Sequence, residues 1–230
     1  MHGLTKQLYD GRFGVEAIDC FFDPLIIRWK PRGDTGGGGF RGAFSPGDRA
    51  LAELKSKARP NEKNELILNL PDGTQLVNTN QHYLLVRPYV TIEDARQGVI
   101  PNDWLPCCLS LGSTQIKKSR EMNAIIGMEK VRDATGQLVP IPRFGLVWRL
   151  TTVPEKNDKG SWMGVKFERF RRVDRDAFYS SLAFHKFLAA GERRADVSEV
   201  LSREEDNRGS APSGGVTAQQ ALGADGKPVV

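Results

Sequence analysis

Six short segments rich in β-branched and aromatic residues constrain the fold of this 230-residue chain most strongly. Turn-forming Pro, Gly, Asn and Asp residues separate the segments, which is typical of short strands joined by tight turns. The segments are residues 17–31, 64–78, 82–92, 104–112, 143–153 and 161–170. Because there is no strand–helix–strand alternation and no internal repeat, the pattern argues against Rossmann-like and TIM-barrel architectures. The sequence therefore predicts a small barrel or a strongly twisted sheet.

Two turns within this pattern have explicit sequence signals. Pro71 presets its own φ angle for a turn, and Gly73 tolerates a positive φ. The polar stretch 155–160, EKNDKG, lies between the last two predicted strands. We therefore expect those two strands to form a β-hairpin.

An internal helix is predicted over residues 113–130, and Ser113 is a natural N-cap residue for it. Apolar side chains cluster on one side of this helix, namely Ile116, Met122 and Ile126, with Ile125 at the margin. Lys117 and Arg120 fall toward the other side and Lys118 falls at the flank, so we expect these charges to face water.

A second amphipathic helix is predicted over residues 173–191. Asp174 can cap its start, and Gly191 can end it. One face of this helix carries Phe178, Leu182, His185 and Leu188. Since His185 lies on that apolar face, a packing role is favoured over a role as a ligand.

These elements predict one mainly β domain with accessory helices (β+α), covering residues 1–190. Residues 191–230 contain no aromatic residue and are rich in Gly, Ser, Ala and charge. Such a composition cannot bury enough apolar surface to offset the entropy lost on ordering. We therefore expect residues 191–230 to form a mostly disordered tail.

The basic charge of the chain is concentrated in the predicted domain. The formal net charge is +5, and residues 191–230 hold seven acids against five bases, which leaves +7 for residues 1–190. An excess of positive charge favours polyanions as partners, although it carries no information about the fold.

Composition also excludes several classes of protein. No apolar run approaches the ~20 residues that a membrane-spanning helix needs, and the N-terminus lacks the pattern of a secretory signal. The three cysteines, Cys20, Cys107 and Cys108, form no CxxC motif, and the three histidines are scattered. We therefore expect no disulfide framework, no metal, no cofactor and no membrane partner in a reduced intracellular compartment.

Catalytic motifs are not found in the sequence, which has no GxSxG elbow, P-loop, HExxH motif or GxGxxG after a strand. Cys107 has apolar neighbours and no base nearby in sequence, so a buried structural thiol is favoured over a nucleophile. We therefore expect a binding protein rather than an enzyme.

Aromatic and basic residues interleave in the last predicted strand, where alternate positions share a face. One set is Trp162, Gly164, Lys166, Glu168 and Phe170, and the other is Met163, Val165, Phe167 and Arg169. The second set is mainly apolar and predicts core. The first set predicts an exposed face on which Trp162 stacks a base and Gly164 lets the base approach. In the preceding strand, Phe144 and Trp148 alternate with leucines and predict core.

The glycine-rich segment 30–44, KPRGDTGGGGFRGAF, allows two interpretations. It is either a plain loop between strands or a supple basic loop, tipped by aromatic residues, that wraps a single-stranded nucleic acid. The segment is a weak phosphate cradle, because no Lys-Ser/Thr pair opens a helix after it. Both interpretations stay open.

Two blocks of sequence lie within residues 104–170, LSLGSTQIKKSREMNAII and FGLVWRLTTVPEKNDKGSWMGVKFE. Their most specific pieces are Ser113–Gln115 with Lys117, Ser119 and Arg120, and Asn157–Trp162. This region resembles tailed-phage and prophage single-stranded DNA-binding proteins of the OB-fold kind. The resemblance implies an OB-like five-stranded barrel with an internal helix between the third and fourth strands, followed here by the C-terminal helix.

The resemblance further implies a non-enzymatic protein that binds single-stranded DNA without sequence preference, in phage DNA replication or recombination in the host-cell cytoplasm. We expect Trp162 and Phe40 to stack on bases. The expected phosphate contacts are Lys117, Lys118, Arg120, Lys159, Lys166 and Arg41. A phage virion or assembly structural protein is the alternative, and a nuclease would need two or three acids converging at metal-binding distance. Homo-oligomer formation stays open.

The tail departs from the family pattern. Proteins of this kind commonly end in a strongly acidic tip that recruits replication partners, whereas this sequence ends in the nearly neutral GADGKPVV. Its acids lie further back, at Glu204, Glu205 and Asp206. Contacts with replication or recombination proteins through the tail therefore follow less directly from the resemblance than DNA binding does.

Overall fold

Ten β-strands and three α-helices form the part of the chain that this computed structural model describes, residues 14–31, 38–62, 64–88, 103–157 and 160–191. The strands are β1 (Val15–Lys30), β2 (Gly39–Phe44), β3 (Arg59–Asn61), β4 (Asn64–Asn69), β5 (Gln75–Pro88), β6 (Leu105–Gly112), β7 (Lys130–Arg132), β8 (Leu138–Pro140), β9 (Leu146–Asn157) and β10 (Gly160–Arg172). The helices are α1 (Arg49–Lys57), α2 (Ile116–Met128) and α3 (Arg175–Ala189), and 3₁₀ turns at Ser113–Gln115 and Arg143–Gly145 precede α2 and β9. The predicted tail beyond Gly191 lies outside the described residues.

Among the described strands, eight form one curled, half-barrel sheet, and β7 and β8 form a separate pair. The order along the large sheet is β10-β9-β1-β5-β4-β3, with β2 paired to β1 and β6 paired to β5. The prediction of a mainly β fold with accessory helices is confirmed.

Five long strands within this sheet have the OB-like arrangement. Strands β6, β5, β1, β9 and β10 pair antiparallel in that order, and α2 lies in the chain between β6 and β9. The helix therefore follows the third of these strands and precedes the fourth, as in an OB-fold. The sheet has eight strands rather than five because β2, β3 and β4, together with α1, are inserted between β1 and β5.

Strand β1 holds this sheet together, since it pairs with three neighbours. It pairs with β5 over Val15–Trp29, with β9 over Val15–Ile18 and with β2 over Ile26–Lys30. Residues 17–20 are fully buried, because apolar clusters cover both faces of the sheet at this point.

The two clusters define an inner face and an outer face of the sheet. The inner cluster, which includes residues of α2, is Ala17, Leu84, Met122, Ile126, Ile141, Leu146, Trp148 and Leu150. The outer cluster, which includes a residue of α3, is Ile18, Cys20, Leu85, Phe144, Val147 and Ala177. The predicted core positions of Phe144 and Trp148 are confirmed, since both are buried.

Helix α2 agrees with the prediction except at its start. Ile116, Met122 and Ile126 are buried, whereas Lys117 and Arg120 are exposed. The predicted N-cap is wrong, because Ser113 begins the 3₁₀ turn and Gln115 occupies the cap position without a side-chain bond. The 3₁₀ turn continues directly into the helix, so no extended residue precedes α2 as N-cap geometry requires.

Helix α3 and the turn before β5 are confirmed in detail. The Asp174 carboxylate accepts a hydrogen bond from the Ala177 backbone N–H (2.8 Å), and Gly191 ends the helix with φ +76°. His185 Nδ1 donates to the backbone carbonyl of Cys20 (2.8 Å), which is a packing role. Gly73 adopts φ +78° in the turn between β4 and β5.

Three predicted positions are corrected. Gly39–Phe44 is a strand rather than a loop, because it pairs with the end of β1, while residues 32–37 of the glycine-rich segment lie outside the described residues. The segments 64–78 and 82–92 divide at the turn after Leu70, since β5 is continuous over Gln75–Pro88. Met163 is 56% exposed rather than core. It pairs with Pro154, in the part of the hairpin that extends past Val15, where β1 begins and its pairing with β9 stops.

A buried row of polar side chains connects α2 to the centre of the sheet. His82 Nδ1 donates to Asp19 Oδ2 (3.0 Å), and His82 Nε2 lies 2.7 Å from Ser119 Oγ. Asn80 donates to the same hydroxyl (2.7 Å), so the hydroxyl proton of Ser119 is left for Nε2. Asp19, His82 and Ser119 are fully buried, and every hydrogen bond in the row replaces one that water would otherwise make.

Replacing Ser119 by Ala is expected to lower the free energy of unfolding by about 1–3 kcal/mol, because it leaves buried polar atoms without a partner. Chemical denaturation measures this change. Thr114→Ala is the matched control, since Thr114 is exposed one turn earlier and its loss should change stability by less than about 0.5 kcal/mol. Equal stability of the two variants would show that the row does not stabilise the fold.

Candidate nucleic-acid interface

The hairpin of β9 and β10 forms one end of the large sheet. Twelve residue pairs run from Gly160↔Asn157 to Arg172↔Leu146, which confirms the predicted hairpin. The two residues of its turn, Asp158 and Lys159, lie outside the described residues, so the prediction for Lys159 stays a prediction.

The outer side of this hairpin carries a row of aromatic and charged side chains, here called the hairpin face. Its members are Arg149, Trp162, Lys166, Glu168, Phe170 and Arg171. Phe170 is 43% exposed, and the guanidinium carbons of Arg149 and Arg171 lie 4.6 and 5.9 Å from the centre of its ring. Exposed rings flanked by guanidinium groups are suited to stacking and to cation–π contact.

Arg171 is held in place by a buried carboxylate of β1. Its guanidinium donates to Glu16 Oε2 (2.9 Å), which also accepts from Arg87 (3.2 Å). Because Glu16 is only 2% exposed, its buried charge requires such cationic partners. The hairpin face is therefore anchored to β1 and β5 through one buried carboxylate.

Lys166 forms an ion pair with Glu168 on the same strand (2.5 Å), and both side chains are about half exposed. An exposed pair of this kind contributes roughly 0–1 kcal/mol. Lys166 can therefore exchange Glu168 for another anion at little cost.

Trp162, the predicted stacking residue, belongs to a network around Glu155. Its indole Nε1 donates to Glu155 Oε2 (2.8 Å), and Gln115 Nε2 donates to the same oxygen (2.8 Å). Lys118 Nζ donates to the other oxygen, Oε1. The Gln115 carbonyl also accepts from the Val165 backbone N–H (3.2 Å), so the network joins the start of α2 to β10.

Gly164 is buried, and the predicted open space above it is not there. A Cβ atom at this position would collide with the carboxylate of Glu155, whose side chain passes directly over the glycine. Glycine is needed here because Glu155 crosses β10 to reach Gln115 and Lys118. The role of Gly164 in base approach is therefore corrected.

The other predicted site residues divide into separate groups. Lys117 and Arg120 are exposed on α2, whereas Lys118 is 22% exposed and bound to Glu155. Phe40 and Arg41 lie on β2, which pairs with the end of β1 opposite to the end that contacts β9. Only Trp162 and Lys118 are joined by a shared hydrogen-bond partner among the described members of the predicted set.

A groove of about 670 Å³ lies in the insertion between β1 and β5. Its lining residues are Lys57, Arg59, Pro60, Asn61, Glu62, Asn69, Leu70 and Pro71. Asn69 Oδ1 accepts from the side-chain amides of Asn61 (3.2 Å) and Gln75 (3.0 Å). The groove carries two exposed bases, Lys57 and Arg59, and one exposed acid, Glu62, and no sequence motif marks it.

Phe170, Arg149 and Arg171 are further site residues that sequence reasoning missed. Strand alternation placed Phe170 beside Trp162, but the register that sets Arg149 opposite Glu168 was not available from the sequence. A bulge between Arg169 and Arg171 turns Phe170 toward Arg149, and such bulges have no reliable sequence signal.

The described residues contain neither a metal-ligand cluster nor a helix suited to crossing a membrane. Within the described residues no group of three or more His, Cys, Asp or Glu side chains could hold a metal ion. None of the described helices is both long and apolar enough to cross a membrane.

The fold and the hairpin face describe a mainly β protein of OB-like arrangement with an aromatic and basic surface. Residues 1–194 match the family of Pam3 phage gp34-like proteins. The chain therefore belongs to that family and is a phage protein. No curated protein and no solved structure matches the chain at a significant level.

The network around Glu155 is expected to depend on pH. The hydrogen bond from Lys118, followed by that from Gln115, holds the pKa of Glu155 below its ordinary value of 4.5. Since this pKa is lowered in the folded state, the ionised Glu155 carboxylate stabilises the fold fully when the pH is above the ordinary pKa of a Glu side chain. This stabilisation is lost as the pH falls through the lowered pKa of Glu155. The Trp162 indole N–H resonance, followed by NMR from neutral to acidic pH, should shift with this titration.

Glu155→Gln provides the control for that titration, because the amide does not ionise in this range. The Trp162 resonance of the variant should be flat where the wild-type resonance moves. A wild-type indole resonance that does not respond to acid would contradict the network.

Proposed function

We propose that this phage protein binds single-stranded DNA without sequence preference and without catalysis, in phage DNA replication or recombination. The observation that supports this most is the 43% exposed Phe170 ring with the guanidinium carbons of two arginines 4.6 and 5.9 Å from its centre, on the same face as Trp162 and Lys166. Bases stack on such rings regardless of sequence, and basic side chains follow the phosphates. The charge of +7 over residues 1–190 supports the same class of partner.

The OB-like strand order supports the end of the hairpin face that lies nearest the β9–β10 turn, where Trp162 is located. OB-folds bind oligonucleotides with the face of strands two and three and with the loops after strands one and four. Here the loop after the fourth strand is the turn of the β9–β10 hairpin. The insertion after the first strand contains the groove with Lys57 and Arg59.

Part of the second strand's outer face is closed in this protein. Tyr83 and Gln81 on β5 are 4% and 1% exposed. Phe21 lies between Tyr83 and His185 of α3, with ring centres 6.0 and 6.1 Å away. We therefore assign the DNA path to the hairpin face rather than to the centre of β5.

Phe170→Ala is expected to weaken the binding of a dT oligomer by roughly 5- to 150-fold, because one stacked base contributes ~1–3 kcal/mol. Fluorescence anisotropy with a labelled oligomer of about 30 bases, longer than one OB-fold covers, measures the affinity. Affinity should fall as salt rises from low to moderate concentration, and duplex of the same length should bind less tightly.

Met163→Ala is the matched control for this variant, because Met163 is 56% exposed on the same strand but points to the opposite face. Its affinity for the oligomer should equal that of the wild type. If wild-type protein does not bind the oligomer at low salt, or if both variants bind alike, the proposed site is wrong.

A virion or assembly protein is the second candidate function. One observation favours it, namely that Met128 and Leu138 are 71% and 59% exposed and offer apolar surface for protein contacts. This candidate predicts a fixed oligomer on size-exclusion chromatography with light scattering. It also predicts no salt-sensitive binding of the oligomer.

A further inference from the structure

Three hydrogen-bond donors from two separate elements converge on the Glu155 carboxylate. Trp162 Nε1 comes from β10, and Gln115 Nε2 and Lys118 Nζ come from the start of α2. The two donors to Oε2 are each at 2.8 Å, and Lys118 adds a full positive charge at Oε1. Donors in this arrangement stabilise any anion with two or more oxygens, and a phosphate group has the same requirement.

The carboxylate reaches the donors of α2 across a whole strand, whereas Trp162 is the direct cross-strand partner of Glu155. Glu155 lies on β9, and its side chain crosses over Gly164 of β10 to meet the start of α2. A residue with a Cβ at position 164 would block this path. Gln115 holds the N-cap position of α2 without capping it, so the partial positive charge of the helix start also favours an anion nearby.

We propose that Gln115, Lys118 and Trp162 form a phosphate cradle, which Glu155 fills when no strand is bound. A phosphodiester of single-stranded DNA takes the place of the carboxylate when Glu155 swings out. This inference rests on the proposed function, and it adds a phosphate site at the edge of the hairpin face. Trp162 then contributes its indole N–H to phosphate binding, which differs from the stacking role predicted from sequence.

The position of the cradle fits a strand that lies along the hairpin face. Trp162, Gly164, Lys166 and Phe170 follow one another along the outer side of β10. Trp162 lies two residues before Gly164 and four before Lys166, and Phe170 lies four residues after Lys166. Lys166 is the nearest further cation along this face of β10. A backbone phosphate in the cradle therefore has Lys166 as a second basic contact along the strand.

Glu155→Ala empties the cradle and is expected to bind the dT oligomer about tenfold more tightly than the wild type. Glu168→Ala is the matched control, because it removes one carboxylate from the same face without opening the cradle. Its affinity should rise by about threefold or less, as expected for an exposed pair.

Gly164→Ala tests the same idea without changing the charge of the protein. Its added Cβ displaces the Glu155 carboxylate, so this variant should also bind the oligomer more tightly than the wild type. If Glu155 only holds the hairpin to α2, both Glu155→Ala and Gly164→Ala will bind equally or more weakly. That result overturns the cradle, and Gly164→Ala decides the question if Glu155→Ala fails to fold.

Inorganic phosphate separates failure of the cradle from failure of the proposed function. In thermal denaturation, phosphate should raise the Tm of Glu155→Ala relative to chloride at equal ionic strength, and it should leave wild-type protein unchanged. If wild-type protein does not bind the oligomer, the proposed DNA-binding function is wrong, whatever effect phosphate has on the Tm of either protein. If the wild type binds the oligomer but phosphate does not raise the Tm of Glu155→Ala, the phosphate cradle is wrong and the proposed function is not contradicted.

Discussion

The pairing of β1 with three strands is the constraint on which the rest of the structure depends. Because its first four residues contact both β5 and β9, β1 joins the two halves of the OB-like sheet. Apolar clusters cover both faces of the strand there, with Ala17 in one and Ile18 and Cys20 in the other. A bulge between Asp19 and Phe21 lets the strand follow the curl of the sheet while it stays paired with β5.

Two acids in this strand are buried, and each is balanced by charges or donors from distant elements. Glu16 accepts from Arg87 and Arg171, and Asp19 accepts from His82 and Arg143. A buried carboxylate without such partners would be strongly destabilising. These pairs therefore fix how β5, β10 and the turn before β9 approach β1, and they place Arg171 at the base of the hairpin face.

The sequence was sufficient for the features that depend on local periodicity. The Pro71–Gly73 turn, the hairpin at 155–160 and the faces of α2 and α3 follow from spacing alone. Helix α1 also had a signal, since Asp48 caps it and Leu51 is buried at helical spacing, but short polar helices are easily assigned to loops. The strand β2 and the register that joins Arg149 to Phe170 depend on long-range pairing, which no local pattern encodes.

The position of the Glu155 side chain shows most clearly why the whole candidate site could not be predicted from the sequence. Sequence alternation identified Trp162 and Gly164 as neighbours on one face, but not that a side chain from β9 occupies the space between them. An internal carboxylate competes with any external anion at a high effective concentration, because no association entropy is lost. A single free phosphate is therefore a poor competitor for the donors around Glu155. A polyanion that also contacts Phe170 and Lys166 gains additional binding energy, so the competition itself favours an extended polyanion over small anions.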